Sequence, residues 1–203
     1  RFEWRKDDID YYIHYMPPTL QNQESSPEFL KVMMEFVGID KAVLQCASVY
    51  GQFNNYYLSI LKEYPDVFTP LYRPDEKNAY TKAEIEKLIT YVNFGFKGIW
   101  FATNNSCFDA KYKPFWDEIQ RLQLPVFWSI HPNDYDAISK KLLEWTEKYT
   151  DIISVVAQSF PLSLYTINGR IEIPDFMKKF TKRDNVYFEL AYPISEGGKE
   201  DYP

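Results

Sequence analysis

At 203 residues the chain has the length of one domain with a full core, and 45% hydrophobic with 18% aromatic residues is too apolar for a disordered polymer. A formal charge of -6, without any block of five or more basic residues, excludes the electrostatic footprint of a nucleic-acid binder; no apolar run is long enough to cross a bilayer, and Arg1-Phe2-Glu3-Trp4-Arg5-Lys6 is not a secretory signal. The two cysteines, Cys46 and Cys107, form neither a spaced zinc pair nor a disulfide framework, so a reducing cytoplasmic setting is the expectation.

The sequence opens without an initiator methionine, a warning that the chain and its gene need not begin at the same place. Residues 1–24 are aromatic and proline-rich. They read as an entry loop, with Tyr11, Tyr12, Tyr15 and Met16 forming a lid or an interface. Ser25-Ser-Pro-Glu28 fits a capping box and opens the first helix. A short apolar run, Ala42–Cys46, predicts the first strand. Phe53, Tyr57, Ile60, Leu61 and Tyr64 then share one helical face, closed by Tyr64-Pro-Asp66. Phe68–Tyr72 is the second strand. Thr81-Lys-Ala-Glu84 caps a helix carrying Ile85, Leu88, Ile89 and Val92, which Asn93-Phe-Gly95 ends. Gly98–Phe101 and Val126–Ile130 follow as strands. After them come a helix with Ile138, Leu142 and Trp145 on one face, and the strands Ile152–Ala157 and Val186–Leu190.

Strand starts recur every 26 to 34 residues, the length of a strand plus a returning helix. That alternation predicts an α/β fold with a parallel sheet covered by helices. An open doubly wound sheet and a (β/α)8 TIM-type barrel both satisfy it. The open sheet, as a nucleotide binder, normally carries a glycine-rich first turn, and this chain has seven glycines and no such pattern. In Pro125-Val-Phe-Trp-Ser-Ile-His131, alternation puts Val126, Trp128 and Ile130 on one face and Phe127, Ser129 and His131 on the other. A strand that presents Ser and His at its carboxyl end suits the mouth of a barrel, so the barrel is favoured. Six strands are recognisable, and a closed barrel needs eight.

The runs Phe36-Val-Gly-Ile-Asp-Lys-Ala-Val-Leu-Gln45, Ser48-Val-Tyr-Gly51, Asn54-Asn-Tyr-Tyr-Leu58, Tyr64-Pro-Asp66, Gly95-Phe-Lys-Gly-Ile99, Pro125–Pro132 and Asn185-Val-Tyr187 together resemble the amidohydrolase-related family. That family comprises barrel enzymes: metal-dependent hydrolases, aromatic-acid decarboxylases and a metal-independent lactonase branch. The resemblance covers roughly residues 25–192. It implies that residues 1–203 form a single barrel domain showing the second through seventh strands and lacking the first and last. Ile9–His14 can be read as a decayed first strand. The favoured reading is that Arg1–Trp4 resembles the loop after it.

The resemblance also implies the site. The family's strand-five metal histidine is matched by His131, the residue expected to ligate a divalent Zn or Mn ion or to act in catalysis. The strand-six histidine is replaced by Gln158, and no strand-eight aspartate has a counterpart. A metal site therefore needs ligands these residues do not supply. Glu189, expected to face inward on its strand, is the candidate proton shuttle, with a structural ion pair as the alternative. Ser48 and Tyr50, in the loop after the first visible strand, Arg73 and Gln158 are the candidate substrate-binding residues, although Arg73 also reads as a solvated loop arginine. Trp100 stands where the lactonase branch carries an arginine. Two functions compete: a hydrolase or carbon–carbon lyase for a small carboxylated substrate, and a catalytically degenerate barrel that binds a ligand or partner. Either version is expected to associate, as a homo-oligomer or otherwise, to cover open barrel edges.

Overall fold

The computed structural model describes residues 26–46, 51–130, 134–157, 166–167 and 170–189. The first helix, α1 (Pro27–Val37), is capped by Ser26, whose hydroxyl accepts from the Phe29 amide, one position later than the expected box. Pro27 explains the shift: at the first helical position its missing N–H costs nothing. There follow β1 (Ala42–Leu44), α2 (Asn54–Glu63), β2 (Phe68–Pro70), α3 (Lys82–Phe94) and β3 (Ile99–Ala102). After a 3-10 turn at Ala110–Tyr112 come α4 (Lys113–Arg121), β4 (Val126–Ser129), α5 (Tyr135–Lys148) and β5 (Ser154–Val156). A small hairpin, β6 (Thr166–Ile167) with β7 (Arg170–Ile171), precedes α6 (Asp175–Phe180) and β8 (Val186–Phe188). All six expected strands form. Gly95 ends α3 in the left-handed region at φ 114°, as its position after the periodic segment implies.

Thr81 caps α3 through its hydroxyl, but the Glu84 carboxylate does not return to the cap. It accepts instead from the Tyr72 hydroxyl at 2.6 Å and the Asp75 amide at 3.0 Å. Half of the expected capping box is thus diverted to fasten the loop after β2.

The large strands are all parallel. β1 pairs with β2, and β3, β4, β5 and β8 follow in order. Tyr72, just beyond β2, bridges to Ile99, and backbone bonds Tyr72 N to Gly98 O (2.8 Å) and Trp100 N to Tyr72 O (2.9 Å) join the two groups. The six strands therefore form one array, with β1 and β8 at its ends. In a flat sheet five steps of about 4.8 Å would separate those ends by roughly 24 Å. Two extended side chains bridge on the order of 10 Å. Yet Gln45, following β1, donates a hydrogen bond to Glu189, following β8. Only an array curled around an axis brings those ends together. The curvature is that of a barrel.

Alternation divides each strand into a helix side and a lumen side. On the helix side, Phe68, Ile99, Phe101, Val126, Trp128, Val156 and Val186 join the buried faces of the helices in one core. Its densest part is aromatic: Trp128 lies 5.3 Å from Trp116, 5.0 Å from Trp145 and 5.8 Å from Phe101, ring centre to ring centre. Each buried aromatic stabilises by about 2–3 kcal/mol through area alone. The lumen side holds a second cluster of Leu71, Trp100 and Ala157 with Phe127 packed on it. Val43, Ile153 and Tyr187 share the lumen-facing phase and stay exposed, Tyr187 at 56%. On α1 the described residues bury Met34, while Phe29, Val32, Met33, Phe36 and Val37 are exposed.

Candidate functional site

The carboxyl ends of the six strands converge at one mouth. Val126, Trp128 and Ile130 are buried on the helix side, and Phe127 and Ser129 take the lumen side, the phase expected of that strand. Beneath the mouth, Trp100 is 2% exposed and its indole N–H has no acceptor among the described residues. The floor of the lumen is therefore apolar, with one buried donor in it.

Glu189 continues the last strand: its amide donates to Val156 O at 2.9 Å, which extends the ladder one residue past β8. It shares its phase with Tyr187, so its carboxylate lies on the lumen side, half-buried. Gln45 Nε2 donates to Glu189 Oε1. A carboxylate accepts only, so this contact fixes which end of the amide faces it. Gln45 is anchored in turn, because its backbone carbonyl accepts from the Tyr57 hydroxyl of α2 at 2.6 Å. Burial pushes the Tyr57 hydroxyl well above the ordinary tyrosine range, which keeps it a donor. Chemically, the arrangement presents a proton acceptor held from the far side of the lumen.

Arg73 is 7% exposed, which corrects the solvated-loop reading. Asn54 clamps its backbone from both sides, donating from Nδ2 to Arg73 O at 2.7 Å and accepting from Arg73 N at 2.9 Å. The guanidinium pairs with Glu76 (Nε to Oε1, 2.9 Å) and donates to Gly51 O at 2.8 Å. Cys46 Sγ donates to the same carbonyl at 2.9 Å, and burial pushes its thiol pKa up. Arg73 thus ties the loops after β1 and β2 together. The sequence gives a reason: a guanidinium carries five donors in a planar fork, enough for a carboxylate and a carbonyl at once.

His131, Ser48, Tyr50 and Gln158 lie outside the described residues, as do the entry loop 1–24 and the Ile9–His14 segment. The structure thus brings Glu189 to the mouth and places Arg73 at its rim. Gln45, Asn54 and Glu76 were not among the sequence candidates. Gln45 carried the same signal that singled out His131, a polar residue at the carboxyl end of an apolar strand. Among the described residues no three His, Cys, Asp or Glu side chains stand together as a metal group. By themselves the Gln45 amide, the Glu189 carboxylate and an Arg73 guanidinium committed to Glu76 do not make a divalent-ion site. Cys46 and Cys107 are both buried, and neither forms a disulfide. No helix among the described residues is long and apolar enough to cross a membrane.

A family model described as Amidohydrolase matches residues 1–202. No curated protein matches the chain by sequence. Among solved structures, the chain is similar to a probable 2-pyrone-4,6-dicarboxylic acid hydrolase from Acinetobacter baumannii with citric acid bound, at 15% identity and a TM-score of 0.61, over 83% of this chain and 62% of that one. It is similar to a 2,6-dihydroxybenzoate decarboxylase complexed with 2,6-dihydroxybenzoate, at 14% identity and a TM-score of 0.65, over 91% and 76%. A 5-carboxyvanillate decarboxylase from Sphingomonas paucimobilis gives 12% and 0.62, over 89% and 71%. At these identities the likeness is one of fold, and the chain spans less than two thirds of the first of the three.

Proposed function

Since the chain belongs to the amidohydrolase family, we propose that it is a hydrolase or carbon–carbon lyase acting on a small carboxylated substrate at the barrel mouth. The observation that carries the reading is the Glu189 carboxylate, held at a strand's carboxyl end by a donor from the opposite end of the array. In a hydrolysis Glu189 takes the proton of the attacking water. In a decarboxylation it first takes a proton from water and then delivers it to the carbon that loses CO2. His131 is proposed to hold the leaving group or to ligate Zn or Mn. Ser48, Tyr50 and Gln158 are proposed to meet the substrate's oxygens, with Arg73 a further anion contact at the rim. Two buried thiols without a disulfide support a reducing, cytoplasmic setting, and the exposed apolar side chains of α1 support association of copies.

The test is a screen of aromatic carboxylates and lactones, with substrate loss followed by absorbance, alongside Zn and Mn content of the purified protein. Turnover should fall at least about 100-fold in Glu189→Gln, the size expected for loss of a general base. Absence of turnover for every carboxylate, with and without added metal, would remove the enzymatic reading.

A second reading is favoured by the lumen itself. Trp100, Leu71, Ala157 and Phe127 fill the space beneath the mouth with hydrocarbon and offer one N–H. That wall suits a degenerate barrel that retains an apolar ligand or serves as an interaction module. Ligand-induced thermal shifts that persist in Glu189→Gln, without turnover, would favour it.

A further inference from the structure

More than half of the exposed large apolar side chains among the described residues fall between 29 and 39, on α1 and the turn that ends it. Phe29, Val32, Met33 and Phe36 follow the i, i+3, i+4, i+7 spacing of one helical face. Phe36 is 84% exposed and the other three 45–60%. Met34, which seats the helix on the core, lies at least about 100° around from each of them. The helix is well anchored. Ser26 caps its first turn, the Tyr64 hydroxyl donates to Glu28 at 3.3 Å, and the Ile39 amide donates back to Met34 O at 2.8 Å. That closure, with Gly38 at φ 76°, leaves Val37 and Ile39 exposed beside the stripe.

We propose that α1 is the seam between two copies of this chain, packed antiparallel across a two-fold axis with Phe29 of each against Phe36 of the other. This deepens the association of copies proposed above by naming its surface, and it does not depend on the enzymatic reading. Size, symmetry and charge identify the occupant. Fully exposed, a large side chain offers about 150–250 Å², so these six present on the order of 700 Å². A lone monomer rarely shows that much in one place, whereas a stable interface takes about 800 Å² from each partner. In either direction the stripe reads phenylalanine, two smaller side chains, phenylalanine. An antiparallel copy therefore sets Phe29 opposite Phe36 and Val32 opposite Met33, the self-complementarity a two-fold axis requires. Lys31 pairs with Glu35 on the polar side of its own helix, so like charges do not confront each other at the seam. A membrane surface fits less well. Such helices are rich in basic residues, and α1 carries one lysine against two glutamates in a chain of net charge -6.

The 203-residue chain, sized by light scattering up to about 100 µM, should run at an even multiple of its mass; Phe36→Glu and Val32→Glu should each halve that mass and weaken association at least about 100-fold. Both side chains are exposed, so the variants should keep the far-ultraviolet circular dichroism of the wild type. Orientation is read by oxidation. In one helix positions 29 and 36 stand about 10 Å apart, too far for a disulfide within the chain. The double variant Phe29→Cys with Phe36→Cys should therefore link two copies, and Phe36→Cys alone should not; the native thiols are buried. A monomeric wild type, or an odd multiple of the chain mass, overturns the proposal: the face is then covered by the same chain or meets a different partner. So does association undiminished in both glutamate variants, or linkage through Phe36→Cys alone. If neither glutamate variant folds, the cysteine pair decides. Turnover by a monomer would sink this proposal and leave the enzymatic reading intact, while a dimer that turns over nothing would do the opposite.

Discussion

Replacing Glu84 with alanine should cost about 2–4 kcal/mol of stability, and the figure follows from what its carboxylate touches. Glu84 is only 4% exposed, at the start of α3. It accepts from the fully buried Tyr72 hydroxyl at 2.6 Å, from the Asp75 amide at 3.0 Å and from Lys87 at 3.2 Å. Without the carboxylate the Tyr72 donor is stranded under hydrocarbon, a penalty of about 1–3 kcal/mol. The half-buried Asp75 amide adds roughly 1 kcal/mol, and exposed Lys87 contributes almost nothing. Glu84→Gln keeps an acceptor oxygen for both donors and should lose only about 1 kcal/mol. Urea unfolding measures this directly. With a slope of about 2 kcal/mol per molar, Glu84→Ala should move the midpoint down by about 1–2 M at unchanged slope. In the double variant with Tyr72→Phe the losses should be sub-additive by at least about 1 kcal/mol, because the stranded hydroxyl is then absent. A Glu84→Ala loss below about 1 kcal/mol, or full additivity in the cycle, would refute the assignment of Glu84 as the acceptor that fastens β2 to α3.

Arg73→Met should destabilise by about 3 kcal/mol, since it leaves Glu76 partly buried without its partner, and urea unfolding reads the loss. Gly98→Ala should cost about 1–3 kcal/mol, because a Cβ there would stand 2.8 Å from Leu71 Cδ2 and 3.1 Å from the Pro125 carbonyl; a smaller drop in the unfolding midpoint would mean that β2 and β4 yield more easily than their packing implies. Burial pushes the Cys107 thiol up to about 12. Its folded value lies above the unfolded one of roughly 8.5, so its contribution is complete below that value and is lost as pH climbs toward the folded one. Alkaline titration should therefore unfold wild type at lower pH than Cys107→Ser, and Cys107 should resist a thiol reagent at pH 8 until the chain unfolds.

The parallel strands and three of the helices were legible because their periodicities are strong. Tyr57, Leu88 and Leu142 sit where the 3.6-residue repeat put them. The helix Lys113–Arg121 and the small hairpin were not among the expected elements. The hairpin is two residues per strand, too short for alternation to register. The motif residues behind the family resemblance mostly maintain the scaffold. Asn54 clamps the end of β2. Asn185 donates from one amide to Thr146 O, Tyr149 O and Ile152 O at 3.2–3.3 Å, and so ties the end of α5 to the start of β5. Arg73 misled a solvation-based reading, because the charged run Arg73-Pro-Asp-Glu-Lys77 reads as a solvated loop and does not show that Arg73 and Glu76 pair and turn inward. Gln45 carried a strand-end signal, but its pairing with Glu189, 144 residues distant, becomes visible only once the array is known to curl.

The uneven division of packing between the two strand faces sets where this chain can change. Trp128, Phe101 and Val126 interlock with helices, so substitutions there strike the framework. Val43, Ile153 and Tyr187 touch little and lie along the inner wall. Those three sites are permissive ground: random mutagenesis should accept charge and bulk at them while the melting temperature stays level, so selection can redraw what the interior accommodates without first repairing its frame.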